Sequence, residues 1–377
     1  MKSENTKHVL LVGLQRFTKP VGLCRYTANL FNRLRTVPAL HVTLVLGAWQ
    51  KNYYRDILQV DVEDPNIIWV DLRKPSISRY GWCLWSLPKL ARKLRVDVVH
   101  LLHQLPVLKA LFHCPVILTM HDLYAYDNPE AIGYPNVYLN RLVIQSSLRA
   151  SAEVVSISHV TKDRLCHWFP KLQRRMALPV IYQSVAVAEP DAGAAPIEGK
   201  FILCVAQHRK HKNLDLAIES YFLGISQGAL DPTTRLLIVG SEGPETPHLK
   251  SVAGRVPGVQ FLESIPDEYL AYLYKGCEVF LCASSTEGFC LPLVEAMLFS
   301  CRVVCADIPI LNEVAGERAT YFTLEGHSPQ VVLDAVLLSL SSDRHTVGSS
   351  RLLSQHPEEE WTALYDRVAG AREQATA

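Results

Sequence analysis

An α/β chain of two doubly wound, Rossmann-like domains facing a central cleft is expected on three grounds. Short β-branched runs alternate with helical patterns along the whole sequence, the pattern of parallel strands joined by helical crossovers. The runs fall into two series. Between them lies "AVAEPDAGAAPIEGK" (186–200), a Pro-, Ala- and Gly-rich stretch without periodicity that reads as a linker.

The first series comprises "HVLLVGL" (8–14), "HVTLVLG" (41–47), "IIWVDL" (67–72), "VDVVHLL" (96–102), "PVILTMHD" (115–122) and "EVVSIS" (153–158). The second comprises "FILCVAQ" (201–207), "RLLIVGS" (235–241), "VQFLE" (259–263), "VFLCASS" (279–285) and "RVVCAD" (302–307). Near-continuous apolar runs of this length suit strands covered by helices on both faces. The domains are therefore placed at 1–186 and 187–355, and the amphipathic "PEEEWTALYDRVAGAR" supplies a final helix over about 356–374. With 377 residues, 49% of them hydrophobic, both domains have material for a core.

Composition narrows the function classes. Residues 1–186 hold 24 Lys+Arg against 12 Asp+Glu, or +12, and the remainder holds 14 against 25, or −11. That split does not suit a uniform nucleic-acid coat, and it gives anionic partners to the first half only. The N-terminal sequence lacks a signal-peptide pattern and no window is apolar enough to cross a membrane, so a cytoplasmic protein is expected, with peripheral contact to the inner face of a membrane. The ten cysteines are scattered, several inside apolar runs (Cys204, Cys282, Cys305), with no CxxC pair and no Cys/His cluster of zinc spacing; buried free thiols are expected. GxGxxG after the first strand, GxxxxGK[ST] and HExxH are all absent, which disfavours dehydrogenases, P-loop NTPases and zincins.

The most informative stretch is "STEGFCLPLVEAM" (285–297). A buried strand precedes it and a helical apolar pattern follows, with Pro292 in the first turn, where a missing N–H costs nothing. "TEGF" must turn sharply, and Gly288 permits the turn. The helix start then offers unpaired amides and a partial positive charge, a phosphate site. Glu287 and Glu295 would repel phosphate but accept hydrogen bonds from hydroxyls, so a diphosphate flanked by hydroxyl-bearing groups, a nucleotide sugar, satisfies all of them: Glu287 on the sugar ring, Glu295 on the ribose. The plainer reading leaves Glu287 solvated and Glu295 serving the helix dipole.

Glu, seven residues, Glu, in the form "EGFCLPLVEAM", resembles the signature of retaining glycosyltransferases of family 4, of the bacterial surface-polysaccharide type. "GCEVFLCASS" before it and "RVVCADIPILNEVAG" after it extend the likeness. The resemblance covers nearly the whole chain, most specifically residues 201–322, and implies the GT-B fold. It implies that Gly288, Phe289, Cys290 and Leu291 line the donor, with no metal and no cofactor.

Loss of a diphosphate requires cations in the transition state. "VAQHRKHKNLDLAI" supplies Arg209, Lys210 and Lys212, and the resemblance makes Lys212 the diphosphate lysine. The family's "GR" pair reads Ala206-Gln207 here, so Arg209 is taken as the substitute arginine. Gly240 and Gly243 in "LLIVGSEGPE" allow close backbone approach near the nucleotide base. In the first domain His121, ending "PVILTMHD", is expected to contact the donor sugar. Gly22 and Arg25 in "KPVGLCRYTANLF" resemble the acceptor loop, although Pro20-Val21 replace one of its glycines. Ser158 fits a serine that leads from strand to helix, or simply a helix cap. Gln183-Ser184 replace the usual Asn-Gly near the linker, and Trp361 is expected to anchor a final helix that packs back on the first domain.

"SRYGWCLWSLPKLARKLRV" (78–96) interleaves Trp82 and Trp85 with five basic residues, which suits an interfacial helix on an anionic surface unless both tryptophans pack inside. The expected activity is transfer of a hexose, mannose favoured and the donor GDP- or UDP-linked, to a hydroxyl of a saccharide or lipid-linked acceptor, with retention. A sugar-nucleotide epimerase of the same fold and a non-catalytic nucleotide-sugar-binding protein are the alternatives.

Overall fold

The computed structural model describes residues 6–16, 22–73, 75–185, 187–190, 197, 199–343 and 356–376. The chain divides into two units, Met1–Ser184 with Gln355–Ala377, and Val185–Ser354.

The first unit carries β1 (Lys7–Val12), β2 (Leu40–Gly47), β3 (Ile67–Val70), β4 (Val98–Leu101), β5 (Val116–Met120) and β6 (Glu153–Ser156). They form one sheet in the order β3-β2-β1-β4-β5-β6, every pairing parallel. Because side chains alternate along a strand, β1 feeds two cores at once. Val9 and Leu11 join a cluster with Phe31, Leu44 and Tyr54, while Leu10 and Val12 join another with Val99, Leu118 and Leu148.

The helix Pro357–Thr376 belongs to this unit and completes the first of those clusters with Trp361, Leu364 and Tyr365. Trp361 is 1% exposed, and its ring lies 4.5 Å from that of His100 on β4. A buried polar chain runs inward from the same helix. Tyr365 Oη bonds His100 Nδ1 at 2.8 Å, His100 Nε2 bonds Thr119 Oγ1 at 2.7 Å, and Thr119 Oγ1 bonds Tyr26 Oη at 3.2 Å. Each buried polar group thereby has a partner, as burial demands. Arg367 adds an ion pair to Glu153 at 3.1 Å.

The second unit carries β7 (Phe201–Val205), β8 (Arg235–Val239), β9 (Val259–Leu262), β10 (Val279–Cys282), β11 (Val303–Ala306) and β12 (Ala319–Phe322), in the order β12-β11-β10-β7-β8-β9 and again parallel throughout. Eleven apolar runs announce eleven of the twelve strands. The missing one, β12, reads "ATYF", four residues broken by Thr320 that make no apolar run.

Both sheets reverse direction of winding between their first and fourth strands, β1/β4 and β7/β10, and in such sheets ligands bind beyond the strand C-termini at that switch. No described helix is long and apolar enough to cross a membrane.

Candidate active site

In the second unit the switch point is built by two segments, one after β7 and one after β10. The segment after β7 makes a short turn, Lys210–Lys212, that ends with Asn213 in the left-handed region (φ 45°, ψ 44°). Asparagine tolerates that conformation better than most residues. Its side-chain amide donates to the Ala283 carbonyl at 2.8 Å, and the Ser285 N–H donates to the His211 carbonyl at 2.8 Å. These two ties clamp the turn to the end of β10.

The clamp brings together side chains 75 residues apart: Lys212 Nζ donates to Glu287 Oε1 at 2.5 Å, with the two side chains 17% and 11% exposed. Desolvation pulls Lys212 down and Glu287 up. The attraction between them and their hydrogen bond outweigh it, so Lys212 ends above its ordinary value and Glu287 below, helped by a bond from Ser284. Both are charged at neutral pH. Burial pushes neighbouring His211 down to about 4, with Lys212 adding to the effect, so this imidazole is neutral.

Gly288 and Phe289 continue the turn, and Cys290 closes it in the left-handed region (φ 71°, ψ 68°) at the start of the helix Leu291–Leu298, with Pro292 in its first turn. Phe289, Cys290 and Leu291 are buried. Glu295, inside the helix, is 6% exposed and accepts a hydrogen bond from Tyr274 Oη at 2.8 Å. Arg209 is exposed, and its Nε donates to Gln207 Oε1 at 3.1 Å.

Gly240 and Gly243 carry the loop after β8 across the loop after β7. A Cβ on Gly240 would lie 1.9 Å from the Ala206 carbonyl oxygen, and one on Gly243 would lie 2.3 Å from that of His208, so neither position admits a side chain without movement. The same crossing is fastened by His208 Nδ1 and Thr246 Oγ1 at 2.9 Å, and by the Gly243 N–H on Thr246 Oγ1 at 2.8 Å.

In the first unit His121 follows β5. Its Nε2–H donates to the Leu102 carbonyl at 2.8 Å, which leaves Nδ1 as acceptor for the Gln183 amide at 3.4 Å. Burial holds His121 at about 4, so the ring is neutral at physiological pH. His103, after β4, is lowered to about 3 by burial, with Arg79 adding to the effect. Gly22 is exposed at the start of the helix Gly22–Leu34, and Arg25 is half-buried within it. Pro20 and Val21 lie outside the described residues. Ser158 acts as a helix cap, accepting from the Thr161 N–H at 3.0 Å.

Sequence reading missed Asn213 and Ser284 as supports of this machinery, and it singled out Gln183 only as a replacement near the linker. Asn213 carried a signal, as the asparagine between a basic turn and a helix start. Cys282, Glu287 and Cys290 also set one ligand atom each within 4.8 Å of one another, a grouping that no zinc-like spacing announced.

Two all-parallel sheets of the same switch-point order, one bearing a buried Lys–Glu pair at that point, define a GT-B glycosyltransferase. Residues 22–182 match the family described as Glycosyltransferase Family 4, and residues 188–349 match Glycosyl transferases group 1. The chain belongs to this glycosyltransferase family. It is 24% identical over 329 residues to the O-antigen chain mannosyltransferase RfbU of Salmonella typhimurium, covering 83% of this chain and 86% of that one. It is 33% identical over 141 residues to the serotype-specific mannosyltransferase WbdA of Escherichia coli, covering 36% of this chain and 14% of that much longer one. In fold it is similar to Anabaena Alr3699/HepE, whose crystal structure holds UDP and glucose (TM-score 0.64, 16% identity, 98% of both chains), and to the pneumococcal O-GlcNAc transferase GtfA (TM-score 0.68, 12% identity, 97% of this chain and 99% of that one).

Proposed function

We propose that this glycosyltransferase moves a hexose, mannose in the first instance, from a GDP- or UDP-linked donor to a hydroxyl of a saccharide or lipid-linked acceptor in the making of a bacterial surface polysaccharide, with retention at the anomeric carbon and without a metal. The observation that carries the reading is the Lys212–Glu287 pair at the β7/β10 switch point. A diphosphate arriving there competes with Glu287 for Lys212. As it takes the ammonium, the carboxylate turns to the sugar hydroxyls, so one exchange of partners seats both halves of the donor. Charge that grows on the departing diphosphate meets Lys212, Arg209 and the amides at the start of the helix Leu291–Leu298. Glu295, oriented by Tyr274, addresses the ribose, and neutral His121 offers the sugar a polar contact rather than a second cation.

Mannose is favoured by the names of the similar proteins, which include O-antigen mannosyltransferases and a GDP-mannose:cellobiosyl-diphosphopolyprenol alpha-mannosyltransferase of Xanthomonas campestris, 27% identical over 252 residues. A lipid-linked acceptor and a peripheral membrane position are favoured by the surface of the first unit. Trp85 is 61% exposed and Ile77 74%, beside an apolar groove of about 490 Å³ lined by Tyr80, Leu84, Leu108 and Leu142, with Lys109 and Arg149 at it. Trp82, three residues before Trp85, packs against the core instead.

The test is to incubate the protein with GDP-mannose, UDP-glucose and related donors, each with a lipid-diphosphate-linked saccharide. Transfer with the product's α or β linkage matching the donor's, in the presence of excess chelator, is expected. Donor consumed to an epimer without acceptor, or bound without turnover, would replace this reading with one of its alternatives.

A further inference from the structure

The turn that carries Glu287 also carries two thiols that the transfer reaction does not use. Cys282 ends β10 and Cys290 caps the helix Leu291–Leu298, and their sulfurs lie 3.8 Å apart. With Zn–S bonds of about 2.3 Å, two thiolates on a tetrahedral zinc ion sit about 3.8 Å apart, so the pair is already at the spacing a bound ion imposes. Glu287 completes a three-ligand set whose ligand atoms all fall within 4.8 Å. Charge balances as well. Two thiolates and a carboxylate carry three negative charges, and a divalent ion with the Lys212 ammonium beside them carries three positive ones. The thiols are 8% and 7% exposed, and the Glu287 side chain, 11% exposed, gives the set its opening to solvent.

We propose that Cys282, Glu287 and Cys290 form an inhibitory site for a thiophilic divalent cation, zinc in the first instance, with water in the fourth position. Soft sulfur ligands select zinc over magnesium or calcium. Binding forms two Zn–S bonds and one Zn–O bond and releases the two thiol protons to solvent. The ion takes Glu287 away from Lys212 and from the sugar, and fixes the turn that the donor must enter. The inhibitory part rests on the function proposed above, while the binding part does not.

A second buried thiol pair supplies the control. Cys277 and Cys301 lie 3.6 Å apart, and both sulfurs donate to the Tyr274 carbonyl. No carboxylate or imidazole joins them among the described residues in a three-ligand group. The reduced full-length protein is titrated with zinc against a chromophoric chelator, and with cobalt to read thiolate-to-metal absorption. One tight site per chain is expected. Cys282→Ser and Cys282→Ala should each weaken it ~100-fold, Glu287→Gln ~10-fold, and Cys277→Ser not at all, and affinity should rise up to ~100-fold per pH unit while the thiols are protonated. Equal zinc affinity in wild type and Cys282→Ser, or a cobalt complex without thiolate absorption, overturns the site. If the site binds, zinc should inhibit transfer by wild type and not by Cys282→Ser, with recovery on chelation. Binding with undiminished transfer overturns the inhibition while leaving the site. Absence of any transfer in metal-free protein counts against the proposed function and not against the zinc site.

Discussion

At the strand ends of the first unit stand imidazoles that burial keeps neutral, His103 after β4 and His121 after β5. At the switch point of the second unit, beside the neutral His211, stand an ammonium and a carboxylate that keep each other charged. One strand order thus supports two opposite ways of placing titratable groups out of water. The first discharges the group, and the second pairs it. The difference matches what each unit is proposed to handle. Neutral donors and acceptors suit sugar hydroxyls, while a paired cation can be surrendered to a diphosphate. The basic excess of the first half therefore has to act elsewhere, on its surface.

The largest effect expected from breaking this contrast is on transfer. Lys212→Met and Glu287→Gln should each lower kcat/KM about 10³-fold, on the scale of losing one group that stabilises transition-state charge. Each single change also strands a mostly buried charge and should destabilise the second unit by about 3 kcal/mol, whereas the double variant should recover much of that stability and none of the activity. Calorimetry beside a transfer assay reads both. Activity retained in the double variant would remove the pair from the mechanism.

Trp361→Ala comes next. It empties a fully buried site in the core of the first unit and should cost about 3–5 kcal/mol there, with donor-induced stabilisation of the second unit preserved. Loss of donor binding in that variant would show the units to be less separable in energy than in contacts.

Acid should separate the units more gently. His100 and His103, both lowered to about 3 from 6.5 by burial, are neutral when folded and bind protons when unfolded. Their contribution is present above the unfolded value and is lost as pH falls from about 6.5 toward 3, at up to about 3 kcal/mol per pH unit for the two protons. Glu287, whose value is depressed below 4.5, contributes above that value and loses its share only as pH falls further. His211 in the second unit, down to about 4, loses its contribution in the same window, so the first unit, with His100, His103 and His121, should lose more stability than the second as pH falls from 6.5 toward 4. Hydrogen exchange resolved by segment at pH 5 checks this, and greater loss of protection around β7 and β10 would contradict it.

Smallest is the surface effect. Trp85→Ala should weaken binding to anionic vesicles a few-fold without changing melting temperature, and raised salt should weaken it further. Unchanged partition would take this face out of the acceptor's approach.

Much of the fold was legible because parallel strands buried on both faces announce themselves as apolar runs, and β12 was not because its four residues, "ATYF", are broken by Thr320 and leave no apolar run, whereas the other edge strands β3, β6 and β9 have one. At the site the sequence offered Lys212 and Glu287 as separate candidates, each on its own turn. Their pairing was illegible, since it depends on Asn213 reaching Ala283 and on two crossovers that bring β7 beside β10. The Cys282–Cys290 approach was hidden for a related reason. Seven residues separate the thiols, and only the left-handed bend at Cys290 folds the chain back so that they meet. His121 was readable as a strand-end histidine, but not its tautomer, which is set by Leu102 and by Gln183 from the far end of the unit.

The helix Pro357–Thr376 has a consequence for how the protein is made. A ribosome emits the six strands of the first unit long before it emits Trp361, Leu364 and Tyr365, and at ordinary elongation rates the interval is about 10 to 40 s. Throughout that time one face of the first sheet lacks part of its cover and His100 lacks the Tyr365 hydroxyl. The second unit, all of whose strands are by then translated, can complete its core before the first unit completes its own.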